Sequence, residues 1–174
     1  MRHVIIGAGP AGLRAAETLR GEDKVASITL VSGEPGEPYA RMAIPYILNR
    51  RIDEHGAHQR TSSGHLEALN VRYLNNKAIK VHASPTGGSV DLDDGSRLDY
   101  DRLLVATGSS PTLPPIAGTD LAGVVTCWTL EDARAIARIV GPGANVVLVG
   151  AGFIGCIVLE ALHQVGCNLT VVEL

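Results

Sequence analysis

Residues 3–12 read His-Val-Ile-Ile-Gly-Ala-Gly-Pro-Ala-Gly, an apolar β-branched run that leads directly into the pattern G-x-G-x-x-G. After the glycines, helical spacing separates Leu13, Ala16, Glu17 and Arg20, so the glycines lie between a predicted strand and a predicted helix. In this context Gly7 permits a tight turn, Gly9 lets a pyrophosphate approach the backbone and Gly12 lets the helix pack on the strand. The start of the helix then presents N–H groups and the positive end of its dipole to the phosphates.

The same design occurs a second time at residues 145–155, which read Asn-Val-Val-Leu-Val-Gly-Ala-Gly-Phe-Ile-Gly. An ordinary glycine-rich turn between strand and helix is the alternative for either copy, and the repetition favours dinucleotide binding. The candidate binding residues are Gly7, Gly9, Pro10, Ala11 and Gly12 in the first glycine turn and Gly150, Gly152, Phe153, Ile154 and Gly155 in the second glycine turn. Two such turns predict two bound dinucleotides.

Composition excludes several classes of partner. The chain has 174 residues, enough for one or two domains, and 45% of them are hydrophobic. Its formal net charge is −3 and only 3% of its residues are aromatic, so we expect no nucleic acid as a partner. Its longest uncharged stretch is too short and too rich in glycine to span a membrane, so we expect no membrane partner.

The cysteines and histidines predict neither disulfides nor a metal site. Cys127, Cys156 and Cys167 form no C-x-x-C motif, and an odd number of unpaired cysteines is typical of the reducing cytoplasm. A metal site at the histidines of residues 51–65 is the alternative to exposed histidines, but no cysteine or further acid completes a metal-like spacing with them. We therefore expect no bound metal.

An acidic residue and an arginine follow the second predicted strand, residues 28–31. An acid about 20 residues past the glycines is expected to bind a ribose hydroxyl, and Glu34 is the candidate. Residues 35–46 contain three prolines, which exclude a long helix and favour a surface loop. Arg41 is the one cation in that loop and is a candidate partner of the pyrophosphate.

The rest of the chain alternates in type. Residues 66–73 predict a short helix leading to a strand. Residues 77–107 predict short strands with turns: a β-meander with a tight hairpin at Asp94-Gly95, and then a buried strand at residues 103–108. A proline-rich linker follows at residues 109–118. Thr129, with an acid three residues later, predicts the start of a helix that continues to Val140.

In this order the motifs resemble the N-terminal part of the FAD-dependent pyridine nucleotide–disulfide oxidoreductase superfamily, over the whole chain. The order is glycine turn, E-P-x-x-P-Y-x-R, meander, L-L-x-A-T-G, linker and second glycine turn. Within the superfamily the chain is most similar to ferredoxin and rubredoxin reductases, NADH oxidases and the flavin part of nitrite reductases. The resemblance implies an α/β fold: a Rossmann-like FAD-binding domain at 1–111 with an inserted meander, then the first βαβ unit of a Rossmann-like NAD-binding domain at 112–174.

The resemblance also implies the cofactors FAD, on the first glycine turn, and NAD(H), on the second. Beyond the turns, the positions that match cofactor contacts are Glu34, Arg41, Ala78, Ala106, Thr107, Gly108 and Glu173. Of these, Ala78 matches a backbone contact to the adenine. Glu173 matches the acid that accepts the ribose 2′-hydroxyl of NAD and would repel the 2′-phosphate of NADP.

Three positions depart from the patterns of the superfamily. Met42 stands where NADH oxidases have a redox cysteine, so no thiol relay is expected there. Tyr46 and Ile157 stand where ferredoxin-reductase-like members have a lysine and an acid. Tyr46 is therefore either a residue beside the flavin or a core aromatic. The acceptor stays open, and no catalytic acid or base is assigned.

Two functions remain. The first is an oxidoreductase that moves hydride from NADH to FAD and electrons on to a redox protein or small molecule; the second is a catalytically silent dinucleotide-binding module. Members of the superfamily continue well past this length, so we expect negligible turnover from these residues alone. The predicted NAD-binding βαβ unit offers only residues 146–149 and 169–172 as strands, which leaves open edges and apolar faces. We therefore also expect a homo-oligomer.

Overall fold

The computed structural model describes residues 1–62 and 64–173. Its strands are β1 (Arg2–Ile6), β2 (Ser27–Val31), β3 (Val71–Leu74), β4 (Ala78–Ser84), β5 (Gly87–Leu92), β6 (Arg97–Tyr100), β7 (Arg102–Val105), β8 (Asn145–Val149) and β9 (Asn168–Val172). Its helices are α1 (Pro10–Glu22), α2 (Ile44–Leu48), α3 (His65–Ala68), α4 (Leu130–Ile139) and α5 (Phe153–Val165). No helix in the described part of the chain is long and apolar enough to cross a membrane.

The chain divides into two compact units. The first unit comprises residues 1–39 and 58–109, and the second comprises residues 40–57 and everything from residue 110 onward. Residues 40–57 thus pack with the second unit, although they precede the predicted boundary at residue 111. The assignment of the two functional domains to residues 1–111 and 112–174 stays a prediction.

The first unit is built on a parallel sheet with the strand order β3-β2-β1-β7. Side chains alternate between the two faces of each strand. On one face Ile5, Ile28 and Leu30 are buried against Leu13 and Ala16 of α1. This arrangement confirms the predicted α/β class and the predicted strand–turn–helix start.

An antiparallel meander covers the other face of the sheet. Its strands have the order β4-β5-β6, which confirms the predicted meander. Val4 and Ile6 of β1 are buried there with Val90 and Leu92 of β5. The parallel sheet of the first unit therefore has apolar cover on both faces, as such sheets require. The strand that follows the meander, β7, joins the parallel sheet, but Leu104 and Val105 are 41% and 59% exposed, so the prediction of a buried strand was wrong.

The second unit contains the other strand–turn–helix motif. Strands β8 and β9 pair in parallel, and α5 joins them. The helix ends at Val165 and is capped by Gly166, whose φ is +89°. The predicted helix start at Thr129 is confirmed: the Thr129 side chain accepts from the Asp132 N–H and the Asp132 carboxylate accepts from the Thr129 N–H, closing a capping box.

Two local predictions can be compared with the structure, and the first was wrong in detail. Within the predicted loop of residues 35–46, a 3-10 turn spans Arg41–Ala43 and α2 begins at Ile44. Pro45 does not prevent this helix, because residues of the first helical turn need no intrahelical N–H partner. The prediction of a short helix leading to a strand at residues 66–73 is confirmed, since α3 ends at Ala68 and the chain enters β3 at Val71.

Candidate dinucleotide-binding sites

In the first unit, three predicted FAD-binding segments follow the carboxyl ends of adjacent parallel strands. Ile6 pairs with Val31 on one side and with Val105 on the other. Just beyond these pairs, the Gly7 N–H donates to the Val31 carbonyl at 2.8 Å, and the Ala106 N–H donates to the Ile6 carbonyl at 2.7 Å. The glycine turn, the segment leading to Glu34 and the Ala106 segment therefore begin at one edge of the sheet, where open α/β sheets bind their ligands.

Two glycines of the first glycine turn are required by the fold. Gly7 has φ +107°, and a Cβ atom on it would lie 2.2 Å from the Ala106 carbonyl oxygen. A Cβ atom on Gly12 would lie 1.8 Å from the Gly7 carbonyl oxygen. Both distances are too short for any side chain. These residues must be glycine because the backbone of Gly7 packs directly against that of Ala106, and the backbone of Gly12 against that of Gly7.

Gly9 is different, because no atom of the described residues would obstruct a side chain there. Its φ of −68° and ψ of −177° are open to any residue, and a Cβ atom on it would meet no heavy atom within 4 Å. The open space lies at the start of α1, where N–H groups and the helix dipole favour an anion. The first glycine turn therefore fits the pyrophosphate of FAD.

Glu34 lies three residues beyond the end of β2, as the ribose prediction requires. Its carboxylate accepts a hydrogen bond from the hydroxyl of Tyr39, whose side chain is buried. Its backbone is also fixed, because the Ser32 hydroxyl donates to the Glu34 carbonyl at 2.9 Å. The structure thus holds this acid in one place beside the edge of the sheet.

The other predicted FAD contacts of this unit lie at the ends of strands. Ala106, Thr107 and Gly108 directly follow β7, and Gly108 has φ +69°, which suits glycine. Ala78 is the first residue of β4, and its pairing with Leu92 is followed by a bulge before Lys80. Their contacts to FAD stay predictions.

In the second unit the second glycine turn repeats the geometry of the first. The Gly150 N–H donates to the Val172 carbonyl at 2.8 Å, just past the last paired residues of β8 and β9. A Cβ atom on Gly155 would lie 2.2 Å from the Gly150 carbonyl oxygen, whereas one on Gly152 would meet nothing within 4 Å. Again the middle glycine leaves space that no protein atom uses, as a phosphate site requires.

Glu173 follows β9, and its carboxylate accepts a hydrogen bond from the Ala151 N–H inside the second glycine turn. The acid thus lies beside the turn, as the NAD prediction requires. Phe153 and Ile154, in the first turn of α5, are 78% and 50% exposed. These apolar side chains are available to a ligand rather than buried in the core.

Arg41 and Tyr46 also belong to the second unit. The Arg41 guanidinium lies 5.1 Å from the centre of the Trp128 ring, and it donates to the Trp128 carbonyl at 3.0 Å. Its predicted contact with the pyrophosphate stays untested. Tyr46 is 46% exposed, so it is not the core aromatic that was one alternative, and Met42 is 80% exposed.

In the described residues, the histidines and cysteines form neither a metal-ligating cluster nor a disulfide. His65 contacts Glu17 through its Nε2 atom at 2.9 Å. Within the described residues, 1–62 and 64–173, no three histidine, cysteine, aspartate or glutamate side chains are grouped so that they could hold a metal ion. All three cysteines are free. Burial, with a smaller contribution from Asp132, raises the pKa of the Cys127 thiol to about 11, so this thiol is a weak nucleophile at neutral pH.

Sequence reasoning missed two residues that support the first site. Gln59 donates to the Ala8 carbonyl inside the first glycine turn, and Tyr39 donates to Glu34. Tyr39 belongs to the E-P-x-x-P-Y-x-R motif, which could have drawn attention to it. No local pattern marks Gln59, because its partners are distant in sequence.

These sites define a protein with two dinucleotide-binding turns, and comparison with known proteins identifies the family. The model of the pyridine nucleotide-disulphide oxidoreductase family matches residues 1–174, so the chain belongs to that family. Members of the family use FAD and NAD(P)H.

Individual relatives agree with this assignment. The NADH oxidase of Methanocaldococcus jannaschii is 35% identical, over 100% of this chain and 40% of that protein. The epsilon subunit of the NADH-dependent phenylglyoxylate dehydrogenase of Aromatoleum evansii is 30% identical, over 99% of this chain and 41% of that protein. The crystal structure of the covalent putidaredoxin reductase–putidaredoxin complex matches with a TM-score of 0.88 at 28% identity, over 98% of this chain and 41% of that one. The chain thus spans about 40% of the length of the curated relatives it matches.

Proposed function

We propose that the chain is the N-terminal part of an FAD-dependent NAD(P)H oxidoreductase that moves hydride from NADH to FAD and electrons on to an acceptor. One observation supports this most strongly. Each glycine turn has a middle glycine, Gly9 or Gly152, whose missing side chain the protein itself does not require. Both glycines stand at the start of a helix, where the open space beside the helix N–H groups suits a pyrophosphate.

In the proposed FAD site, the first glycine turn binds the pyrophosphate and Glu34 accepts the adenosine ribose hydroxyls. Tyr39 holds the Glu34 carboxylate through its hydroxyl. The Ala78 backbone meets the adenine, and the segment from Ala106 to Gly108 lies beside the cofactor. We also propose Arg41 as a partner of the pyrophosphate and Tyr46 as a residue beside the flavin.

In the proposed NAD site, the second glycine turn binds the pyrophosphate and Glu173 accepts the ribose 2′-hydroxyl. A carboxylate at this position disfavours the 2′-phosphate of NADPH, because two anions would meet. The contact between Glu173 and the Ala151 N–H fixes the acid against the turn. NADH is therefore the proposed donor.

When bound, FAD supplies the redox chemistry, and the protein supplies binding, orientation and exclusion of water. We assign no catalytic acid or base, since hydride transfer itself needs none. The acceptor is a redox protein or a small molecule; the complex of putidaredoxin reductase with putidaredoxin is an example of the first kind among the structural relatives. Met42 has no thiol, so electrons from FAD to the acceptor do not pass through a cysteine at that position.

We further propose a cytoplasmic protein that self-associates. The three free cysteines suit a reducing compartment. Val147 and Val149 of β8 are 63% and 50% exposed in a sheet of only two strands. Such a sheet invites pairing with a second copy.

Reconstitution with FAD tests the proposal. The purified chain should bind FAD, seen as a yellow protein after gel filtration, but its flavin should bleach negligibly with NADH in an anaerobic stopped-flow experiment. Hydride transfer needs the nicotinamide C4 and flavin N5 atoms about 3–3.5 Å apart and aligned, which we expect to depend on further residues of the longer relatives. Failure to bind FAD would favour the silent module instead, and saturable reduction within milliseconds would show that these residues suffice for hydride transfer.

A further inference from the structure

The side chain of Gln59 contacts the first glycine turn. The Gln59 Nε2 atom carries two hydrogens, and it donates to two carbonyl oxygens, that of Ala8 at 3.3 Å and that of Tyr39 at 3.0 Å. The Gln59 backbone N–H donates to the Pro38 carbonyl at 2.9 Å. A carboxamide N has two donors, so this one is fully used by the backbone.

The acceptor at Ala8 matters because of the peptide bond it belongs to. The Ala8 carbonyl and the Gly9 N–H are opposite ends of one planar trans unit. A donor on that carbonyl fixes the orientation of the whole unit, and it polarises the N–H on the other side. Gln59 thus acts on the residue whose missing side chain leaves space for the pyrophosphate.

The second acceptor links the same carboxamide to the ribose acid. Tyr39 receives the Gln59 hydrogen bond on its carbonyl and donates its own hydroxyl to the Glu34 carboxylate. One short path of hydrogen bonds therefore joins the phosphate turn to the acid at the end of β2. Both ends of this path are proposed FAD contacts.

The Gln59 segment is itself anchored to α1. Arg60 donates from Nε to the Glu17 carboxylate at 2.7 Å, and His65 contacts the same oxygen at 2.9 Å. The Glu17 side chain is 13% exposed, whereas those of Arg60 and His65 are 37% and 27% exposed, so the cluster is partly shielded from water. These contacts tie the Gln59 segment to the helix that begins at the first glycine turn.

We infer that Gln59 is a positioning residue of the FAD site, which holds the Ala8–Gly9 peptide and, through Tyr39, the Glu34 carboxylate in the arrangement that binds the adenosine diphosphate half of FAD. The inference rests on the proposed function. It assigns a role to a residue that touches no cofactor, and the second glycine turn provides an internal comparison in the same chain.

The test uses Gln59→Met, which keeps the length of the side chain but removes both donors. The matched control is Gln164→Met, which changes an exposed carboxamide that bonds Asn49 and Glu160 in the second unit. Flavin fluorescence titration should give an FAD Kd about fivefold to tenfold higher for Gln59→Met and unchanged for the control. Gln59→Glu should bind FAD still more weakly at neutral pH and recover part of the affinity as pH falls, because protonation returns one donor.

Nuclear magnetic resonance of the labelled chain without FAD gives a readout independent of binding. In Gln59→Met the Ala8 carbonyl carbon and the Gly9 amide nitrogen should shift, while Ala151 and Gly152 of the second glycine turn stay in place. If these resonances do not move, or if wild type and Gln59→Met bind FAD equally, the inference is wrong. If wild type binds no FAD at all, the proposed function fails instead, and the resonances still report whether Gln59 orders the turn.

Discussion

A Cβ atom on Gly12 would lie 1.8 Å from the carbonyl oxygen of Gly7, whereas a Cβ atom on Gly9 would have no heavy atom within 4 Å. The two glycines are three residues apart and belong to one motif, yet they exist for different reasons. Gly12 lets α1 pack against the turn, and Gly9 leaves open space at the start of α1. Stability and binding can therefore be separated by substitution.

Gly12→Ala should destabilise the first unit. The new methyl group would overlap a backbone carbonyl that cannot move without shifting α1, and we expect a loss of about 3 kcal/mol in the free energy of unfolding by urea denaturation. Gly21→Ala is the matched control, because its Cβ meets nothing within 4 Å in the same helix. It should gain about 0.5–1 kcal/mol. Equal midpoints for Gly12→Ala and wild type would contradict the packing role.

Stability should depend on pH through Glu17. Burial alone would raise the pKa of this carboxyl, but hydrogen bonds from Arg60, His65 and Arg14 outweigh burial and hold the pKa below its ordinary value of 4.5. The ionised side chain therefore contributes stability above pH 4.5, and this contribution is lost as pH falls through the folded-state pKa. Glu17→Gln should lack this part of the acid transition, and the exposed Glu22→Gln should keep it. Identical acid profiles for wild type and Glu17→Gln would show that the cluster does not stabilise the unit.

Glu173 should set the preference for NADH. Its carboxylate is beside the second glycine turn, bonded to the Ala151 N–H, where a 2′-phosphate would meet it. Glu173→Ala should lower the ratio of NADPH to NADH dissociation constants about tenfold, measured by titrating the nucleotide fluorescence. Glu160→Ala, an exposed change on α5, should leave the ratio unaltered. Tighter binding of NADPH than of NADH by the unaltered chain would refute the assignment.

The chain should self-associate through its open strands. Val147 is 63% exposed on β8, which pairs with β9 and with no other strand of the described residues. Light scattering at tens of micromolar should show a mass above that of one chain, and Val147→Lys should reduce it, since an edge charge discourages strand pairing. A monodisperse monomer of the unaltered chain would contradict this expectation.

The sequence predicted the elements whose signals are local. The glycine spacing identified both turns, alternation identified the meander, and Thr129 identified the start of α4. The short α2 was missed because prolines usually end helices, and the position of Pro45 in the first turn removes that objection.

Long-range side-chain contacts could not be predicted in the same way. Gln59 reaches Ala8 across 51 residues, and Arg41 reaches Trp128 across 87. Arg20 appeared only as a residue of the predicted helix, but it is buried and donates to the carbonyls of Leu69 and Asn70. Such partners depend on how the sheet orders its strands, which periodicity does not specify.

The central claim is that the first glycine turn binds the FAD pyrophosphate, and Gly9→Val tests it most directly. Because Gly9 has an ordinary backbone conformation and no neighbour at its Cβ, the variant should keep the free energy of unfolding of wild type within about 1 kcal/mol, measured by urea denaturation. Its valine would fill the space that the pyrophosphate needs, so the flavin content after reconstitution should fall at least tenfold. A folded Gly9→Val that retains its FAD undiminished would contradict the account.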